Sequence, residues 1–174
     1  VDVGTLVLTP INKLALQIEL GRGDGTFSVV DGPQLIEAFY GSFRVAVRFA
    51  DLDGDGWLEI VLLFHDRIEV LEAGPHLSFA LRTTVPCNST AVGLEVSDLN
   101  SDGRLDLITP FVDGSVAVFA GTQNGSFLPV GTFSSSLRGV IRLAAADVNG
   151  DRRPDLVGIA MEGVRVVTLE NRSR

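Results

Sequence analysis

Three short acidic segments, nearly superimposable on one another, constrain this chain more than any other feature of its sequence. The first reads Asp51-Leu52-Asp53-Gly54-Asp55-Gly56-Trp57-Leu58-Glu59-Ile60, and the second Asp98-Leu99-Asn100-Ser101-Asp102-Gly103-Arg104-Leu105-Asp106-Leu107. The third reads Asp147-Val148-Asn149-Gly150-Asp151-Arg152-Arg153-Pro154-Asp155-Leu156. Their starts lie 47 and 49 residues apart, a period that belongs to arrays whose repeating unit is one supersecondary element. They hold 10 of the 22 acidic residues in a chain of net charge −8. Like charges packed this densely are costly unless a cation sits among them, so the clustering points to metal. The net charge also argues against a nucleic-acid partner, because phosphate contacts need a basic stripe.

Numbered from the first aspartate of each segment, oxygen-bearing side chains fall at positions 1, 3, 5 and 9. Alternate spacing lets a tight turn aim three oxygens at one point, and the backbone carbonyl at position 7 (Trp57, Arg104 or Arg153) adds another. Such a hard, oxygen-only donor set selects Ca2+ over zinc or copper. An EF-hand loop opens the same way, but it requires a bidentate glutamate at position 12 and flanking helices. Position 12 here holds Leu62, Thr109 and Gly158, and the flanks at 44–50 and 60–64 read as strands. The first loop, with four carboxylates and Gly56 at its bend, is expected to bind best. The second loses one charge at Asn100. The third has Asn149 and sets Arg152 where a glycine is expected, a left-handed conformation that costs a non-glycine residue roughly 1–2 kcal/mol. It is expected to be the weakest.

The rest of each period is regular too. Between the second and third loops come a strand at 107–110, a turn at Asp113-Gly114, a strand at 115–120 and the hairpin Asn124-Gly125-Ser126-Phe127. Asp-Gly and Asn-Gly predict two-residue type I′ turns, in which both residues take positive φ. The N-terminal segment repeats the order, with strands at 3–9 and 13–20 followed by Gly23-Asp24-Gly25-Thr26-Phe27. Asp2 aligns with Asp106, as the ninth position of a loop whose start is missing. Gly74-Pro75 and Phe79 are the remnant of the hairpin between the first two loops.

Acidic loops of this form alternating with Gly-Asp-Gly-Thr-Phe hairpins resemble the FG-GAP/VCBS repeat family, and the resemblance covers essentially the whole chain. It implies four-stranded antiparallel blades around an axis, with calcium in a loop between strands of each blade, as in integrin α-subunit heads and many secreted surface proteins. The Gly-Ala-Pro element of the integrin version is absent, and Ala73-Gly74-Pro75 is only a scrambled echo of it. The expected fold is therefore all-β, a partial β-propeller of about three and a half blades. Its repeats fall at about 1–40 (incomplete start), 41–88, 89–137 and 138–174 (incomplete end). A propeller closes with roughly four to eight blades, and an open arc leaves raw edges. The missing blades are expected from another segment or another chain. Opening at Val1 without an initiator methionine, the sequence reads as a processed product or an excerpt of a longer one.

Other signals carry less weight. Arg22-Gly23-Asp24 is an adhesive tripeptide, but the hairpin explains its glycine and aspartate without a ligand. Trp57, the sole tryptophan, either anchors a partner or packs on a neighbouring blade, the second being favoured; Phe39-Tyr40 similarly either lines a binding face or fills a gap between blades. Asn88, Asn124 and Asn171 head glycosylation sequons, which fit an extracellular or cell-surface location. Cys87 is the only cysteine, so an internal disulfide is impossible. No apolar run is long enough to cross a bilayer as a helix. His65 and His76 share no ligand spacing, and no catalytic motif is present. The chain is thus expected to be a non-enzymatic, calcium-stabilised extracellular scaffold for protein or glycan recognition within a larger assembly. The alternatives are an accessory region of a secreted enzyme and a lectin-type propeller.

Overall fold

The computed structural model describes residues 3–8, 14–29, 34–36, 46–74, 78–134, 140–160 and 165–172. They are all-β: fifteen strands and no helix among the described residues. The chain divides into two compact units, one comprising Val1–Phe43 with Ala73–Ala80 and the other Arg44–Glu72 with Leu81–Arg174.

The N-terminal sheet contains β1 (Val3–Leu8), β2 (Leu14–Gly21), β3 (Phe27–Val29) and β4 (Gln34–Ile36). β1 runs antiparallel along one edge of β2, from Val3↔Glu19 to Leu8↔Leu14. On the other edge, β3 pairs with Glu19–Gly21 and β4 with Leu14–Leu16, so these two form one interrupted lane. Four strands thus form three lanes. In the β2–β3 turn the Arg22 amide donates to the Thr26 carbonyl (3.0 Å). The Asp24 carboxylate accepts the Thr26 amide (2.8 Å) and hydroxyl (2.6 Å). The aspartate of the adhesive-looking tripeptide thus caps its own turn.

Three antiparallel meanders follow. The first orders β5 (Ala46–Ala50), β6 (Glu59–Leu63), β7 (Arg67–Ala73) and β8 (Phe79–Pro86). The second orders β9 (Glu95–Ser97), β10 (Asp106–Pro110), β11 (Ser115–Gly121) and β12 (Phe127–Ser134). The third contains β13 (Val140–Ala146), β14 (Asp155–Ala160) and β15 (Arg165–Leu169). Each acidic loop joins the first strand of a meander to its second, which is strand-flanked geometry and not that of an EF-hand.

The packing explains why the second strands read as unbroken apolar runs. Successive side chains of a strand point to opposite faces, and in β10 those faces enter different cores. Leu107 of β10, with Ala117 and Phe119 of β11, packs with Val61, Leu63, Ile68, Val70 and Val85. Ile108 of β10, with Val116 and Val118 of β11, packs with Leu143, Leu156 and Ala160. A sheet covered on both sides has no polar face, so alternation disappears from the sequence.

The hairpin turns differ from expectation. Among the described residues only Ser101 and Arg152 are non-glycines at positive φ, so Asp113 and Asn124 do not adopt the first position of a type I′ turn. Instead the Gly114 amide donates to the Phe111 carbonyl (3.0 Å) and the Phe111 amide to the Ser115 carbonyl (2.8 Å). The same pair recurs at Thr122, Gly125 and Ser126. Each is a three-residue loop in which an ordinary turn is followed by one left-handed glycine.

Cys87 packs against the first core cluster, and burial pushes its thiol up to about 11. Alkylation by iodoacetamide at mildly alkaline pH should therefore run roughly a hundredfold slower than in the urea-unfolded chain, because only the thiolate reacts. Equal rates would mean that the thiol is open to solvent.

Candidate metal-binding loops

All three loops are wound by closely similar hydrogen bonds from backbone amides to side-chain oxygens. Position 1 accepts two amides from farther along its own loop: Asp51 from Gly54 (2.7 Å) and Gly56 (3.0 Å), Asp98 from Asp102 (3.0 Å) and Gly103 (2.8 Å), and Asp147 from Gly150 (2.7 Å) and Arg152 (2.9 Å). Position 3 accepts the amide of position 5 in each case, through Asp53 (3.3 Å), Asn100 (2.9 Å) and Asn149 (2.9 Å). Position 5 accepts the amide of position 7: Asp55 from Trp57 (2.8 Å), Asp102 from Arg104 (2.9 Å) and Asp151 from Arg153 (2.9 Å).

This winding requires left-handed backbone at positions 4 and 6. Glycine fills both in the first loop (Gly54, φ 80°; Gly56, φ 89°), whereas Ser101 (61°) stands at position 4 of the second and Arg152 (68°) at position 6 of the third. The strain expected at Arg152 is present. Its amide bond to Asp147 is the leading cause that holds that carboxyl below the usual carboxylate range. Ser101 escaped the sequence reading, although Gly54 and Gly150 at the same position were a sufficient signal.

Position 9 behaves differently. Glu59, Asp106 and Asp155 are buried, and each accepts the amide of position 2: Leu52 (2.8 Å), Leu99 (3.0 Å) and Val148 (3.2 Å). Asp106 and Asp155 spend their second oxygen on an amide at or just past the end of the following strand, Gly121 (2.9 Å) and Asn171 (2.8 Å). Burial raises the pKa of Glu59 and of Asp106. The ninth residue therefore staples its loop to the sheet, a role that ligand spacing alone does not reveal.

A calcium ion, which the loop pattern implies, fits the first loop best on donor chemistry. One oxygen each from Asp51, Asp53 and Glu59 lies within 4.8 Å of the others. In the second and third loops the position-3 amide nitrogen bonds the position-5 carboxylate, Asn100 to Asp102 (3.1 Å) and Asn149 to Asp151 (3.3 Å). Arg104 adds a second contact to Asp102 (2.5 Å) and donates to the Gly121 carbonyl (3.1 Å). The first and second loops also share a polar cleft of about 390 Å³, lined by Asp51, Asp53, Asp102, Arg104, Thr122 and Gln123 among others.

Residues 98–158, the second loop through the third and the sheet between them, match the FG-GAP-like repeat. Over this stretch the chain is similar to an FG-GAP-like repeat. The four-stranded antiparallel sheet of β9–β12, with an acidic loop between its first two strands, has the form of the blade that such repeats build. Among solved structures, the chain is similar to one chain of the Photorhabdus luminescens Tc holotoxin pore, at 18% identity and a TM-score of 0.54. The match covers 95% of this chain but only 8% of that one, so it speaks to fold alone. No curated protein matches the sequence significantly.

Other residues singled out from the sequence separate from the loops. Trp57 is 63% exposed, so its ring is not packed on a neighbouring sheet as expected, because the loop turns position 7 outward. Asn88 and Asn124 are exposed. Asn124 Oδ1 accepts the Thr122 hydroxyl (2.5 Å). Asn171 donates its side-chain amide to the Leu99 carbonyl (2.6 Å). Phe39, Tyr40 and His76, and Asp2 of the truncated loop, lie outside the described residues.

Proposed function

We propose that this chain is a calcium-stabilised, non-catalytic portion of an extracellular β-propeller scaffold, working within a larger assembly that recognises protein or glycan. The observation that carries the reading is the threefold recurrence of one loop geometry, with the position-1 aspartate at its centre and oxygen donors at positions 3 and 5. Asp51, Asp53, Asp55 and Glu59, Asp98, Asn100, Asp102 and Asp106, and Asp147, Asn149, Asp151 and Asp155 would hold the ions, helped by the carbonyls of Trp57, Arg104 and Arg153. The bound cation offsets the mutual repulsion of each acidic cluster and fixes a strand connection. A rigid frame for the exposed loops follows, with no bond made or broken. Consistent with a passive role, the loop carboxylates already serve as acceptors for backbone amides.

A thermal melt tests this. Extracellular calcium modules bind with dissociation constants of roughly 10⁻⁴–10⁻³ M, so excess Ca2+ should add about 1–3 kcal/mol per site by mass action. The midpoint should then rise by about 3 °C or more over EDTA, with Mg2+ giving much less. A folded sample whose midpoint ignores Ca2+ would show the loops to be self-sufficient turns and end the calcium reading.

A further inference from the structure

Arg82, on β8 and 29 residues from its partner, reaches into the first acidic loop. Its guanidinium donates to Asp53 Oδ2 (2.7 Å) and, through the other terminal nitrogen, to the Asn124 carbonyl in the β11–β12 hairpin (2.7 Å). Both side chains of the ion pair are mostly buried, at 19% and 18% exposure, which removes it from the class of solvent-screened surface pairs. A Cβ at residue 125 would lie 2.6 Å from the same guanidinium, so Gly125 leaves the space that the arginine tip occupies. The contact to Arg82 is also the leading cause that holds the Asp53 carboxyl below its ordinary range.

The charge count gives this contact a meaning. The first loop has four carboxylates at its oxygen positions, whereas the second and third have three each, with Asn100 and Asn149 at position 3. The surplus carboxylate is Asp53, and it is the one that Arg82 meets. Four negative charges and one guanidinium leave three, and in the second loop Arg104, paired with Asp102, likewise offsets one of the carboxylates.

We propose that Arg82 is a built-in counter-cation of the first loop: it offsets the surplus charge at Asp53, lowers the loop's affinity for an added cation, and ties Asp53 to the Asn124–Gly125 hairpin. The proposal rests on the calcium reading above and narrows the advantage that four carboxylates would otherwise give the first loop. An arriving Ca2+ competes with the guanidinium for the Asp53 carboxylate, which is one of the three oxygens within 4.8 Å of one another. Occupancy of the loop and the hold on the hairpin are thereby coupled.

Trp57 makes the test local. As the sole tryptophan, at position 7 of the first loop, it can sensitise the luminescence of Tb3+, used as a calcium surrogate, in that loop; carrying Asp98→Ala in every sample silences the second loop, which shares a cleft with the first. Arg82→Gln should tighten the Tb3+ titration about three- to tenfold, the effect of removing one competing unit charge at close range in a partly buried setting. Arg82→Lys keeps the charge but loses the fork that spans both acceptors. It should titrate near wild type, while the Thr122 and Gly125 amides exchange hydrogen faster than in the parent. An unchanged or weaker titration for Arg82→Gln, in a sample whose circular dichroism matches wild type, would overturn the proposal. If neither protein gives a Trp57-sensitised signal but Ca2+ still raises the melting midpoint, the ions sit in the other loops and the Arg82 proposal alone falls. If the melt is silent as well, both readings fall.

Discussion

Replacing Asp106 with alanine is expected to destabilise the fold by about 3 kcal/mol, seen as a lower urea midpoint at unchanged slope. The residue is 1% exposed and accepts the Leu99 amide with one oxygen and the Gly121 amide with the other. Alanine leaves two donors without an acceptor, at roughly 1–3 kcal/mol each. Part of that loss is returned, because burial of the carboxylate itself is unfavourable and raises its pKa. Asp106→Asn keeps one acceptor oxygen in place and should lose about half as much. A loss under about 1 kcal/mol for the alanine variant would mean that water replaces the carboxylate at both amides, and the stapling role would have to be abandoned.

Phe111→Ala should cost still more, about 3–5 kcal/mol, the range for truncating a buried aromatic ring. Phe111 is 2% exposed and is among the largest fully buried side chains, in the core that also holds Leu63, Ile68 and Leu107. It sits just beyond β10 and not within a strand, but its backbone is fixed. Its amide and carbonyl close the turn to Ser115 and Gly114, and it bridges to Ala91. A pinned backbone cannot move in to fill the void, which places the variant at the costly end of the range. Domains are stable by only about 5–15 kcal/mol in total, so far-UV circular dichroism should show an early, broadened thermal transition. A variant that melts within a few degrees of wild type would show that the neighbouring side chains collapse into the space.

The strands were legible in the sequence because their signals are local. Apolar runs such as Ile60-Val61-Leu62-Leu63 and glycine-bearing turns each declare themselves within a few residues. The acidic loops were legible for the same reason, and their threefold repetition made the pattern specific. What escaped depends on partners far along the chain. Nothing near Asp53 announces Arg82, and nothing near Asp106 announces the amide of Gly121 fifteen residues later. The hairpin type was missed because Asp-Gly and Asn-Gly suit two turn geometries. Choosing between them depends on whether one or two residues must turn left-handed, which strand register decides and the dipeptide does not.

The buried carboxylates of the second strands also solve an indexing problem. In a strand with one wet face, slipping by one residue throws apolar side chains into water, and that penalty sets the pairing. β6 and β10 have no wet face: every residue of Glu59–Leu63 and of Asp106–Pro110 is buried. A slip there would merely exchange one core's contents for another's, apolar for apolar, and hydrophobicity alone would barely object. Glu59 and Asp106 are the first residues of those strands, and each can meet its amide partner in only one alignment. The acid at the start of each strand thus works as a reading-frame mark, telling otherwise interchangeable aliphatic residues which side of the sheet is theirs.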